Sequence, residues 1–290
     1  MSQRLDQLAE QLSPRRVNGP PIALLKDQVV LITGGAQGLG AAAATLFAQY
    51  GALIAISDVD EAKSQELVKQ LRETGAHAES FSGDLMNPSY PETLVKNVLA
   101  RFGRINCLIN NAGFLNDRAV HKMTDSQWES ILEIHNSVPF RLIRALSSHF
   151  MSPETMNNRK TILNISSSSG VHGQLGQVNY CTAKAGIVGM TKGIAREWGR
   201  YNVRCNAVAY GWMDTRMTRP PEPGQKMAVN GKEISVGVAK SATKFRDTSD
   251  IALGRPGTAD EAAGCLLFLA SDLSSYVTGH VLECNGGRFM

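Results

Sequence analysis

Metal-ligand spacing is missing from this 290-residue sequence. Its five cysteines, Cys107, Cys181, Cys205, Cys265 and Cys284, form no CxxC pair, and its six histidines form no HxxxH or HExxH pair. No metal site is therefore expected. An odd cysteine count in a chain of this size, without a disulfide-framework pattern, predicts free thiols in a reducing compartment. A surplus of charge is missing too. Thirty lysines and arginines against 26 aspartates and glutamates leave a net charge of +4, too small and too evenly spread for nucleic acid or an anionic membrane as partner. No apolar run follows the first methionine, so no signal peptide is expected. Residues 1–26 read instead as an extension: a short amphipathic stretch with Leu5, Leu8 and Leu12 on one face, then a linker. Asp6 and Glu10 argue against an organellar presequence, and a cytoplasmic location is expected.

Charge vanishes altogether between Gln28 and Ser57. The stretch is long enough for a membrane helix, which needs about 20 apolar residues. Gly34, Gly35, Gly38, Gly40 and Gly51 interrupt it, however, and a buried strand, a glycine turn and a buried helix account for it better.

What the chain has in quantity is glycine, 27 residues, set between alternating strand and helix patterns. Strands are expected at 28–33, 52–57, 77–84, 105–113, 161–167, 203–209 and 280–287. Helices are expected after the first glycine turn and at 60–75, 87–103, 124–151, 178–199 and 258–271. Strands alternating with helices of this length imply βαβ units with right-handed crossovers. The expected fold is α/β, a Rossmann-type doubly wound parallel sheet with helices on both faces. No linker composition interrupts it, so residues 27–290 read as one domain despite the length.

The first strand runs into Thr33-Gly34-Gly35-Ala36-Gln37-Gly38-Leu39-Gly40 and then a helix. Such a turn brings backbone N–H groups and a helix N-terminus up to a phosphate. The spacing from Gly35 to Gly40 also suits a P-loop, but Ala41 and Ala42 stand where that motif needs Lys and Ser or Thr. Asp58 ends the second strand, where a carboxylate reaches the ribose hydroxyls of a dinucleotide. It would repel a 2′-phosphate, and no Lys or Arg lies in the turn or directly after it, so NAD(H) is expected over NADP(H).

Tyr180 and Lys184 stand four residues apart on a predicted helix and share a face. An adjacent ammonium is expected to lower the tyrosine pKa toward the range useful for proton transfer. Ser167 ends the fifth strand, at the edge where open α/β sheets place their ligand crevice.

With these residues in view, the chain resembles the short-chain dehydrogenases/reductases, and more weakly their 3-oxoacyl-carrier-protein reductase-like subgroup. The resemblance rests on TGGAQGLG (33–40), Asp58, GDL (83–85), NNAG (110–113), HNSVPF (135–140), Ser167, YCTAK (180–184) and NAVAYGWMDT (206–215), and it covers about residues 27–287. It implies an oxidoreductase that interconverts a secondary alcohol and a ketone. Asn136, Ser167, Tyr180 and Lys184 would be catalytic: Tyr180 exchanging the proton, Ser167 holding the substrate oxygen, Lys184 holding the nicotinamide ribose and Asn136 a relay water. Gly34, Gln37, Gly38, Leu39, Gly40, Asp58, Asp84, Leu85, Asn111, Ala112, Gly113, Gly211 and Thr215 would join Tyr180 and Lys184 around the cofactor.

One departure is Tyr210 before Gly211, where the family usually has proline. Tyr210 either adds an aromatic wall to the site or shifts the cofactor, which keeps open an isomerase, lyase or cyclase that uses the cofactor without net redox change. Phe114, Leu175, Trp212 and Met217 are candidate substrate contacts. Residues 212–253 read as a lid with little regular structure, carrying Lys226, Lys232, Lys240, Lys244 and Arg246. A homotetramer, or a homodimer, is implied, with Ala183, Gly186, Gly189 and Gly193 suited to close packing.

Overall fold

The computed structural model describes residues 23–219, 226–229, 232–235 and 248–289. Its centre is a seven-stranded parallel sheet. The strands are β1 (Val29–Thr33), β2 (Leu53–Asp58), β3 (Ala78–Ser82), β4 (Cys107–Asn110), β5 (Lys160–Ser167), β6 (Val203–Tyr210) and β9 (Val281–Cys284), in the order β3-β2-β1-β4-β5-β6-β9. A short antiparallel pair, β7 (Lys226–Val229) and β8 (Lys232–Ser235), stands apart from this sheet.

β1 is buried at every position, as a central strand covered on both faces must be. Its side chains alternate between two cores. Val30 and Ile32 pack with Phe47 of helix α1 (Gly38–Gln49), Leu67 and Leu71 of α2 (Glu61–Glu73) and Leu266. Val29 and Leu31 pack with Leu94 of α3 (Tyr90–Phe102), Ile131 of α4 (Asp125–Leu132) and Leu142 of α5 (Val138–Ala145). The second core also takes Phe150 of α6 (Ser147–Phe150) and Trp198 of the long helix α8 (Val178–Trp198). Helix α7 (Ser168–His172) follows β5, and α9 (Ala259–Ala270) closes the first core. The sheet order reverses between β1 and β4. Connections from these two strands diverge to opposite faces and open a crevice at their carboxyl ends.

The single helix expected at 124–151 is in three pieces. A π-helical turn, Glu133–Ser137, separates α4 from α5, and the N–H of Val138 donates to the carbonyl of Glu133, five residues back. The cause is Pro139, in the first turn of α5. Proline has no N–H to give the carbonyl of His135, so the regular ladder breaks there. The last strand is shorter than expected and ends at Cys284, because Gly286 and Gly287 take positive φ, +67° and +81°.

Within residues 212–253, expected to have little regular structure, Lys226–Val229 and Lys232–Ser235 pair as β7 and β8. An Asn-Gly step is a hairpin signal; read alone it gave only a turn. Residues 1–22, which hold the expected amphipathic stretch, and Lys240, Lys244 and Arg246 lie outside the described residues. Among the described residues no helix is long and apolar enough to cross a membrane.

Candidate active site

A cavity of about 610 Å³ follows the crevice. At one end lies the glycine turn. Gly34 and Gly38 have φ of +61° and +59°, which side-chain-bearing residues rarely adopt. Gly40 is needed for close packing instead: a Cβ there would lie 2.3 Å from the carbonyl oxygen of Gly34. Thr33, which the sequence did not single out, ties the turn to β4. Its Oγ1 accepts from the N–H groups of Asn111 and Ala112, both at 3.1 Å, and donates to the carbonyl of Ile109. Asn111 gives its side-chain amide to the carbonyls of Thr33 and Gly34, each at 2.9 Å, so its side chain braces the turn.

Gln37 starts α1 without capping it by its side chain. The open N-terminal amides, the positive dipole end and the space above Gly38, where a Cβ would meet nothing within 4 Å, suit a dinucleotide pyrophosphate. Gly34, Gln37, Gly38, Leu39, Asp58, Asp84, Leu85, Asn111, Ala112, Gly113, Gly211 and Thr215 border the cavity, while Gly40 stands behind it. Gly211 has no room for a side chain, since a Cβ would lie 2.7 Å from Asn285 Cα.

Asp58 does not present a free carboxylate. One oxygen accepts from the N–H of Ala36 and the other from that of Asp60, both at 3.1 Å. A cation also reaches this end of the cavity from a distant part of the chain: Arg216 borders it and acts on Asp60.

The other end holds Ser167, Tyr180 and Lys184. Ser167 caps α7, its Oγ accepting from the N–H of Ser169 at 3.1 Å; its hydroxyl makes a long contact, 3.5 Å, to the carbonyl of Tyr210 and also acts on the Tyr180 phenol. Lys184 is buried, with Nζ donating to the carbonyl of Ile165 at 2.6 Å and lying 5.5 Å from the centre of the Tyr180 ring. Burial pulls the Lys184 amine down to about 7. The expected lowering of Tyr180 by this ammonium is not what the geometry gives. Burial raises the Tyr180 phenol above its ordinary value, the Ser167 hydroxyl opposes the rise, and Asp117 and Cys181 add to it. The amine, turned to Ile165, does not offset the desolvation.

Asn136 lies behind Lys184 and does not border the cavity: its Nδ2 donates to the carbonyl of Ala183, the residue before Lys184, at 2.9 Å, and its Oδ1 is buried without a partner. His135, in the same π-helical turn, borders the cavity. Tyr210 forms no aromatic wall. Its ring is buried in the core on the α9 side, and its hydroxyl donates to the carbonyl of Ala262 at 2.8 Å.

Phe114, Leu175, Trp212 and Met217 all line the substrate end. Leu175 is 84% exposed, at the mouth, whereas Phe114 is buried in the core at the cavity wall. Three features here had no signal in the sequence taken alone. Asp117 and Gln177 are linked at 2.6 Å, and Gln177 to Ser169 at 3.2 Å. Arg288 and Phe289 fold back onto the same cavity, with Phe289 stacked on His172 at 4.6 Å. Among the described residues no group of His, Cys, Asp and Glu is arranged for a metal ion.

Comparison with known proteins agrees with this architecture. Residues 34–288 match the family described as enoyl-(acyl carrier protein) reductase. The chain is 34% identical over 263 residues to the 3-oxoacyl-[acyl-carrier-protein] reductase FabG of Thermotoga maritima, covering 91% of this chain and 98% of the relative. It is 32% identical over 265 residues to FabG of Escherichia coli, with the same coverage. A solved structure, that of gox2181, superposes with a TM-score of 0.80 at 29% identity, covering 92% of this chain and 97% of that one. These relatives correct the expectation of NAD(H) over NADP(H), because the FabG reductases are NADPH-dependent. Two features of the structure accompany this correction: the Asp58 carboxylate accepts from two backbone amides, and Arg216, from a segment distant in sequence, borders the cavity.

Proposed function

The chain belongs to the short-chain dehydrogenase/reductase family, an NAD(P)(H)-dependent ketoreductase of that family, and on that premise we propose that it reduces 3-oxoacyl thioesters to 3-hydroxyacyl thioesters, with Tyr180 as proton donor. The observation that carries the reading is the grouping of the Tyr180 phenol, the Ser167 hydroxyl and a buried lysine at one end of a cavity whose other end is the glycine turn. Nothing favours the non-redox alternative, and Tyr210, which had kept it open, turns its ring away from the site.

NAD(P)H, when bound, supplies the hydride. The protein's own residues do the rest. Ser167 Oγ exchanges its long contact to Tyr210 for a hydrogen bond to the substrate carbonyl oxygen. Donors fixed in advance where charge develops are the largest electrostatic aid to such a step. Tyr180 gives that oxygen its proton. Lys184, anchored on Ile165, places a positive charge near the ring face and is in reach of a nicotinamide ribose. Phe114, Trp212, Leu175 and Met217 give the acyl chain an apolar bed.

Residues 27–290 act here as one domain, with 212–253 as its lid. A homotetramer and a cytoplasmic location fit a small-molecule reductase of this kind. The test is NADPH consumption with an acetoacetyl thioester and with simple ketones. The reading expects turnover with a clear preference for the thioester, and equal turnover of small ketones would argue against it.

Two further results are expected. Gly40→Val should raise the Kd for the cofactor more than tenfold, read by fluorescence titration, since its side chain has no space beside Gly34 and Asn111. Arg216→Ala should raise the KM for NADPH about tenfold, the worth of one charge-assisted hydrogen bond, and leave the KM for NADH nearly unchanged. Equal effects on both cofactors would place Arg216 away from the 2′-phosphate.

A further inference from the structure

We propose that Asp117 is a specificity residue of this reductase: its carboxylate repels free 3-oxo acids from the substrate end of the cavity, so that uncharged 3-oxoacyl derivatives, thioesters or amides, are the ones that reach Tyr180. The inference rests on the ketoreductase reading given above and adds to it the substrate charge that the site accepts.

The loop after β4 fixes where this carboxylate stands. Before it, Asn116 is held twice. Its side-chain carbonyl accepts from Gln127 Nε2 of α4 at 3.0 Å, and its backbone carbonyl accepts from Asn179 Nδ2 of α8 at 3.1 Å. After it, the N–H of Arg118 donates to the carbonyl of Gly176 at 3.0 Å. The backbone is thus anchored on both sides without help from the Asp117 side chain, which is accessible and borders the cavity. Asp117 Oδ2 accepts from Gln177 Nε2 at 2.6 Å, and Gln177 Oε1 accepts from Ser169 Oγ at 3.2 Å. Gln177 opens α8 without capping it by its side chain and stands just before the turn that carries Tyr180, while Ser169 follows closely on Ser167. The carboxylate is therefore tied to both arms of the reacting centre.

Its charge is not neutralised. Among the described residues Asp117 forms no ion pair. Desolvation by the surrounding walls raises its pKa, and the Gln177 hydrogen bond opposes the rise. The cations that border the cavity are engaged elsewhere: Lys184 Nζ on the carbonyl of Ile165, Arg288 with Asp250, and Arg216 at the cofactor end, where it acts on Asp60. The bond from Gln177 does not need a carboxylate, since an asparagine oxygen would accept it equally. What the carboxylate adds is negative charge beside the reacting group, and that charge is felt there, raising the Tyr180 phenol. A site rejects a competitor by presenting a charge that the competitor cannot pair. A 3-oxo acid holds its own carboxylate two bonds from the carbonyl carbon that must meet Tyr180, so both negative charges would share one end of the cavity. The matching thioester or amide has the same skeleton and no charge.

Acetoacetate and acetoacetamide are nearly equal in shape and differ in charge. At saturating NADPH, kcat/KM of the wild type should favour acetoacetamide by more than about tenfold, the effect of two like charges about 10 Å apart at a partly buried site. In Asp117→Asn, which keeps an acceptor for Gln177, that preference should fall about tenfold. Asp117→Glu should keep it. A change in the proton affinity of Tyr180 or in the packing of the loop alters both substrates together and cancels in the ratio. A wild type without the preference, or an unchanged ratio in Asp117→Asn, overturns the proposal.

Binding gives a second reading without turnover. Ligand-observed NMR titration of the wild type and of Asp117→Asn, each loaded with NADP+, should show the Kd for acetoacetate falling about tenfold on substitution and that for acetoacetamide moving less. Equal shifts, or none, overturn the inference even if reduction proceeds as described. Selective tightening of acetoacetate in a protein that reduces neither compound would overturn the ketoreductase reading and leave selection by Asp117 standing.

Discussion

Tyr180→Phe is expected to lower kcat for carbonyl reduction by about 10²–10⁴-fold, the usual worth of a positioned acid. The substitution deletes one oxygen and keeps the ring, so the edge-on contact with His135 and the packing in the second core remain. Cofactor affinity should change little, because the glycine turn and Thr33 lie at the other end of the cavity. The loss should appear in kcat and not in the KM for NADPH, since the missing proton is needed only as the carbonyl oxygen takes on charge. Turnover that survives in this variant within a few-fold of wild type would remove Tyr180 from the chemistry.

Lys184→Met is expected to lower kcat by about 10²–10³-fold, as loss of one preorganised electrostatic donor does, and to leave the protein at least as stable at pH 7. The second half of this prediction follows from the amine's position. Its pKa falls from an ordinary 10.5 to about 7 on burial. Between those values the unfolded chain binds more protons than the folded one, so this group's contribution to stability rises with pH across that window. At pH 7 most of the cost of burying the charge is still present, and methionine removes it. A thermal midpoint equal to or above wild type, together with the activity loss, would separate function from folding; a collapse of the midpoint would show that the lysine holds the fold. In the wild type, kcat for reduction should decline as pH rises through about 7 and the ammonium loses its proton. The methionine variant should lack that limb.

Much of the fold was legible in residue order. Fully apolar strands such as VVLIT, a glycine turn after the first of them, and helices with a clear polar face leave few alternatives to a doubly wound sheet. Thr124 and Thr258 cap their helices, each in a capping box. What escaped was set by contacts distant in sequence. Pro139 was visible within the 124–151 pattern, but the π-helical turn before it, which holds His135 and Asn136, was not. Tyr210 went wrong for a related reason: alternation places successive strand residues on opposite faces, and its ring lies on the α9 face. Asp58 was found, but its charge was treated as free when two backbone amides engage it, and Arg216 arrives from a segment far along the chain.

The most direct test of the account is isotopic. NADPH deuterated at the transferable position of its nicotinamide should be consumed with an acetoacetyl thioester in a one-to-one ratio, and mass spectrometry should find the deuterium on carbon 3 of the 3-hydroxyacyl product, with both signals absent in Tyr180→Phe. Conversion of substrate without consumption of NADPH and without label in the product would contradict it.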